Sequence, residues 1–196
     1  MILAAGSSER MGRPKAFLPY RGSTFLEAIL AVIREAAVDR AVVAIAQNDP
    51  NILKFRALTG ITIVVNAADR SMGPISSIAA GINELFNFPV DGILAWPVDM
   101  PHVAVSTIGI LVRRFKQTRS DILIPTFEGR RGHPVVFSRS VFSELLTVPV
   151  GKGADFVVHR DPGRVVKIPV SDPAVLEDID TPEDYARLIS STKSLL

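Results

Sequence analysis

The sequence predicts a three-layer α/β fold: a mainly parallel twisted sheet, helices on both faces and a small antiparallel addition. Three observations carry that expectation. Short apolar runs recur along the chain, stretches with helical spacing separate them, and the central runs lack the alternation of a strand with one wet face. A chain of 196 residues is long enough to bury one substantial core, so residues 1–196 are read as a single domain.

The elements follow in order. Residues 1–4 form a first strand, whose abrupt start raises the expectation that a residue or two precede it. Residues 24–37 place Phe25, Leu26, Ile29 and Ile33 on one helical face, and Thr24 with Glu27 forms a capping box. The run 41–46 is a strand buried on both faces, a short helix falls near 49–58, and 61–65 is the next strand. Pro74 suits the first turn of a helix over 74–87. A central strand at 92–96 and a helix over 104–118 come next. Residues 121–125 and 134–137 are strands joined through a turn at 129–132, the source of the antiparallel addition. Helices near 139–146 and 153–159, a strand at 165–168 and a last helix opened by Thr181 and Pro182 complete the pattern.

Composition narrows the function. With 22 basic and 20 acidic residues the net charge is +2, and the short basic groups are scattered, so no nucleic-acid partner is expected. No apolar stretch is long enough to span a membrane, and no membrane partner is expected. The absence of cysteine excludes disulfides, thiolate metal sites and cysteine nucleophiles, and fits a cytoplasmic protein. No His-x-His or His-x-x-x-His pair offers a transition-metal site.

In parallel sheets ligands bind beyond the carboxyl ends of the strands, which singles out the loops 5–15, 66–74 and 97–102. The first runs Leu3-Ala4-Ala5-Gly6-Ser7-Ser8-Glu9-Arg10-Met11-Gly12-Arg13-Pro14-Lys15. Its small residues allow close backbone approach to a ligand, Arg10 offers a fork to a phosphate and Lys15 a point charge. It lacks the Gly-Lys-Ser/Thr end of a Walker loop and the G-x-G-x-x-G spacing of a dinucleotide loop, and an ordinary charged turn reads equally well. Asp99, after the central strand and between Pro97 and Pro101, suits a magnesium ligand; capping the helix near 104 is the alternative. Trp96 reads as core.

The string from Leu3 to Lys15 resembles the opening motif of the Rossmann-like nucleotidyltransferases, most closely the molybdenum cofactor cytidylyltransferases and guanylyltransferases. The resemblance extends through Pro97-Val98-Asp99-Met100-Pro101, 129–134 and 151–154 to Tyr185. It implies transfer of a nucleoside monophosphate from CTP or GTP to the phosphate of a molybdopterin-type acceptor. A molybdoenzyme or its chaperone is a further expected partner. By resemblance Arg10, Lys15 and Asp99 are catalytic. Leu3, Ala4, Ala5, Gly6, Ser7, Gly12 and Lys15 bind the nucleotide, with Asn66, Gly73, Ser76 and Ser77 beside it. Mg²⁺ is held by Asp99 and Asp180, and Arg131, His133 and Asp178 meet the acceptor. From the residues alone, Asp180 and Thr181 serve equally as helix caps, His133 as a turn residue, and Ser76 and Ser77 as first-turn residues.

Two departures bear on substrate choice. Gly73-Pro74 is similar to the guanylyltransferases, whereas Ser76-Ser77-Ile78 is similar to the cytidylyltransferases. The methyl of Ala5, where the guanylyltransferases carry glycine, narrows the space beside the base and favours CTP. Asp155 stands where the cytidylyltransferases carry Arg, which bears on acceptor contacts. Rival expectations are a sugar- or polyol-phosphate nucleotidyltransferase, a non-catalytic nucleotide-binding module and a dinucleotide-dependent oxidoreductase.

Overall fold

The apolar runs pair into one sheet because only pairing satisfies their backbone groups away from water. The computed structural model describes residues 1–68 and 72–193. Its strands are β1 (Ile2–Leu3), β2 (Pro19–Tyr20), β3 (Ser23–Thr24), β4 (Val42–Ala46), β5 (Thr62–Asn66), β6 (Gly92–Pro97), β7 (Ile122–Phe127), β8 (Arg130–Arg131), β9 (Val135–Ser138) and β10 (Val165–Pro169). The helices are α1 (Phe25–Glu35), α2 (Ile52–Arg56), α3 (Pro74–Leu85), α4 (Val105–Thr118), α5 (Phe142–Leu146), α6 (Asp155–Arg160) and α7 (Pro182–Lys193).

Across the main sheet the order is β10-β7-β9-β6-β1-β4-β5, with β8 paired to β7. β1 runs parallel to β4 and β6, β4 to β5, and β7 to β10. The antiparallel element is internal: β9 lies between β6 and β7 and opposes both. It thereby joins the two parallel sets into one surface.

The hairpin that delivers β9 is bulged. Glu128 and Gly129 both have positive φ, the twist that a two-residue hairpin turn requires. Thr126 then pairs with Arg131, but Leu123 pairs with Val136, so the register slips by two residues. Gly132 keeps the first register, its N–H donating to the Pro125 carbonyl at 2.8 Å, and the slack is taken up at 133–134, which bows out of the ladder.

Helices cover both faces. One core cluster joins α1 and α4 to Val43, Ile45, Leu94 and Trp96; the other joins α3, α5 and α6 to Val42, Ile93 and Ala95. Alternate residues of β4 and β6 thus point into different layers. Thr24 caps α1 as expected, accepting from the Glu27 N–H while Glu27 accepts from the Thr24 N–H at 2.8 Å. The small β2–β3 hairpin was not legible, since two-residue strands carry no periodicity. Among the described residues no helix is long and apolar enough to cross a membrane.

Candidate active site

The first cleft, about 370 Å³, opens at the carboxyl ends of β1, β4, β5 and β6. Its near wall is the segment from Leu3 to Ser8, and β1 is fixed there by the Ala4 N–H on the Ala44 carbonyl and the Val98 N–H on the Leu3 carbonyl. Among the described residues nothing lies within 4 Å of where a Cβ on Gly6 would point, so the backbone faces the cleft. The loop then turns at Ser8, which has φ 54°, and the N–H groups of Met11 and Gly12 close on its carbonyl. Gly12 is exposed and lies outside the cleft wall; with φ 71° it shapes the turn that returns Lys15 to the cleft.

The far wall holds Asn66, Gly73, Ser76 and Ser77. Asn66 is buried; its amide nitrogen donates to Ser76 Oγ at 2.8 Å and Ser77 Oγ at 3.1 Å, and its oxygen accepts from the Ala68 N–H. Pro74 occupies the first turn of α3 as expected. Residues 69–71 of this loop lie outside the described residues.

Lys15 and Asp99 line the floor, and Asp180 and Arg10, which line neither cleft, join them from behind in a charge cluster drawn from parts of the chain far apart in sequence. Lys15 Nζ donates to Asp99 Oδ2 at 2.9 Å and to Asp180 Oδ1, while Arg10 donates to the other oxygen of Asp180 at 2.7 Å. Burial works to lower the Lys15 pKa, but the two aspartates outweigh it and hold it above the ordinary lysine value. For Asp180 burial works upward, and the Lys15 and Asp178 contacts carry it below the usual carboxylate range. Burial and the neighbouring Asp180 push Asp178 up.

Neither aspartate is spent on capping. The start of α4 is closed by Asp172, whose Oδ2 accepts from the Ala104 N–H at 2.9 Å and Thr107 Oγ1 at 2.8 Å. The Asp184 N–H donates to Thr181 Oγ1 at the start of α7. Trp96 is fully buried, and its indole N–H donates to the Met100 carbonyl, pinning the loop that carries Asp99. The Ile179 N–H donates to the Asp99 carbonyl at 2.9 Å and sets the distance between the two acids.

A second cleft, about 510 Å³, adjoins the first through Leu3, Pro74 and Pro97. Ile75, Ile78, Ile124, Val135 and Phe137 make an apolar floor; Arg131, His133, Asp155 and His159 stand around it. The bulge at 133–134 carries His133 here, its N–H held by the Val175 carbonyl at 2.8 Å. The His133 ring keeps contact with solvent through the cleft mouth, yet the surrounding walls hold its pKa below the ordinary value against the pull of Asp99, Asp155 and Asp178. Arg131 Nη1 lies 3.2 Å from His159 Nε2, and His159 Nδ1 lies 2.8 Å from the Asp155 carbonyl. His159 therefore has a partner that sequence spacing did not reveal. Asp178 lines neither cleft but a separate groove with Tyr20, Arg21 and His102.

The implied divalent cation can be tested against this chemistry. Among the described residues no group of three or more His, Asp and Glu side chains is placed to hold a metal. Two carboxylates do converge on one cation, the Lys15 ammonium, which marks where Asp99 and Asp180 together hold positive charge. A hard cation such as Mg²⁺ takes one or two carboxylates and completes its shell with phosphate oxygens and water, so the residues fit.

Taken together, the mainly parallel sheet, the glycine-containing loop after its first strand and the Lys15–Asp99 pair at the cleft floor define a nucleotide-site α/β protein. Residues 1–165 match the MobA-like NTP transferase domain, and the chain belongs to that family, as a nucleotidyltransferase of the MobA type. Among its relatives is the nicotine blue oxidoreductase of Paenarthrobacter nicotinovorans, 33% identical over 96% of this chain and 95% of that one. A probable molybdenum cofactor guanylyltransferase of Mycobacterium marinum is 27% identical over 94% of this chain and 89% of the relative. The crystal structure of Rv0371c from Mycobacterium tuberculosis H37Rv superposes with a TM-score of 0.80 at 32% identity, over 96% of both chains. The same protein solved in complex with manganese gives a TM-score of 0.76 at 30% identity, over 97% of this chain and 96% of that one.

Proposed function

We propose that the protein transfers CMP from CTP to the phosphate of a molybdopterin-type acceptor, with Mg²⁺ as the cation. The observation that carries this reading is the pair of adjoining clefts with Lys15 and Asp99 at the floor of the first. The nucleotide lies along Leu3 to Ser8, its base toward Asn66, Ser76 and Ser77. An oxygen of the acceptor phosphate attacks the α-phosphorus; the new P–O bond forms as the bond to the β-phosphate oxygen breaks, and pyrophosphate leaves. No protein nucleophile is needed. Lys15 and Arg10 bind and orient the triphosphate, and the apolar floor of the second cleft excludes water from the acceptor side. A cation bound at Asp99 and Asp180 supplies charge neutralisation to the phosphates.

Ala5 lines the first cleft, which supports the narrower, pyrimidine-sized space over the guanine expected from relatives named guanylyltransferase. A melting panel with CTP, GTP, ATP and UTP, each with Mg²⁺, tests this. At 100 times its Kd a ligand stabilises by about 2.7 kcal/mol, and CTP is expected to give the largest shift. The largest shift from GTP would move the reading to guanylyl transfer. No shift with any of the four would count against nucleotide binding.

The 33% identical nicotine blue oxidoreductase supports a second reading, redox chemistry on a ring compound seated in the second cleft. Stabilisation by NADH or NADPH in place of the triphosphates would favour it.

A further inference from the structure

Lys15 is not free to meet a nucleotide. Its side chain is nine-tenths buried, with one hydrogen bond to Asp99 Oδ2 at 2.9 Å and another to Asp180 Oδ1. The two acids belong to different segments, the turn after β6 and the approach to α7, and the Ile179 N–H on the Asp99 carbonyl holds those segments together. The ammonium is the cation around which they meet. Arg10 adds a second positive group on Asp180, but its side chain is 70% exposed and its hold is correspondingly weak.

These contacts set two tasks against each other. A divalent cation at this pair needs the carboxylate charge that the ammonium now neutralises, and a triphosphate needs the ammonium itself. A lysine ammonium and a divalent cation cannot both sit on the same oxygens, because their repulsion in a partly buried site is strong. We propose that Lys15 is the resident counter-ion of the Asp99–Asp180 pair and keeps a divalent cation off it until a polyphosphate draws the ammonium away. Nucleotide and cation then favour each other's binding, and the coupling is reciprocal. The proposal rests on the nucleotidyl-transfer reading for the identity of the polyphosphate; the competition itself lies among groups of this chain.

Mn²⁺ binding, followed by the loss of the free-ion electron paramagnetic resonance signal without nucleotide, tests it. Lys15→Met is expected to bind Mn²⁺ about tenfold tighter than wild type, and Asp180→Asn in that background to abolish the gain. Arg10→Gln removes an equal charge and is expected to gain about threefold at most. Equal affinity in wild type and Lys15→Met would overturn the proposal. So would an equal gain in Arg10→Gln, which would mean a diffuse charge effect. If Lys15→Met lacks a cooperative urea transition, Lys15→Gln, which keeps a donor to both acids, decides by the same criteria. Failure of the transfer reading looks different: no pyrophosphate release with any triphosphate and acceptor, while the Mn²⁺ differences persist.

Discussion

The two clefts meet at Leu3, Pro74 and Pro97, yet they are built in different ways. The first has one continuous wall, the backbone from Leu3 to Ser8, faced by strand ends and the start of α3 with a buried asparagine. The second is assembled from a bulge, two helices and the face of a sheet, segments spread from Leu3 to His159. A wall made of contiguous backbone tolerates change in its side chains and depends on small residues. A wall made of converging side chains depends on each segment being in register.

Asp99 lines the first cleft beside Lys15, two residues after the shared Pro97, so its loss should be the largest effect. Asp99→Asn is expected to lower kcat by about a thousandfold with the urea midpoint nearly unchanged, measured by pyrophosphate release. Activity near wild type would remove Asp99 from the mechanism. Gly132→Ala separates the clefts. A Cβ there would lie 2.3 Å from the Val175 carbonyl oxygen, which is backbone and cannot yield cheaply. Stability should fall by about 1–3 kcal/mol, and the acceptor KM should rise while CTP affinity holds. A parallel loss of CTP affinity would show that the clefts are not independent.

Ala5→Gly probes the backbone wall. Removing one methyl is expected to move the CTP/GTP ratio of kcat/KM by about tenfold toward GTP, with acceptor KM unchanged; an unaltered ratio would discard the steric argument. The smallest effect concerns His102, half-buried outside both clefts with Nε2 at 3.5 Å from Glu177 Oε2. Burial lowers its pKa and outweighs Glu177, which raises it. The unfolded chain therefore binds the proton more readily. The stability is fully present above about pH 6.5, the ordinary histidine value, and is lost as pH falls toward the lower folded value. His102→Gln should flatten that part of the urea-midpoint profile, and an unchanged slope would assign the dependence elsewhere.

The same contrast explains how much was legible in the sequence. Strand–helix alternation and the motif from Leu3 to Lys15 are local, and both gave the correct fold class. The capping box at Thr24 and Glu27 and the first-turn position of Pro74 are set by near neighbours and were legible too. The salt-bridge cluster was legible only as separate charged residues, because Lys15 and Asp180 are brought together by the sheet order. The pairing of Arg131 with His159 carried no sequence signal: it requires a two-residue slip in a hairpin register and a helix that approaches from elsewhere. Asp172 was missed for a similar reason, since it caps a helix whose own first residues offer no cap.

Acceptor-dependent pyrophosphate release from CTP tests the central claim most directly. The protein, Mg²⁺ and each of the four triphosphates would be mixed with and without molybdopterin, and pyrophosphate followed by an enzyme-coupled assay. Release that requires the acceptor and is fastest with CTP is the predicted result. No release with any triphosphate in the presence of molybdopterin would contradict the account.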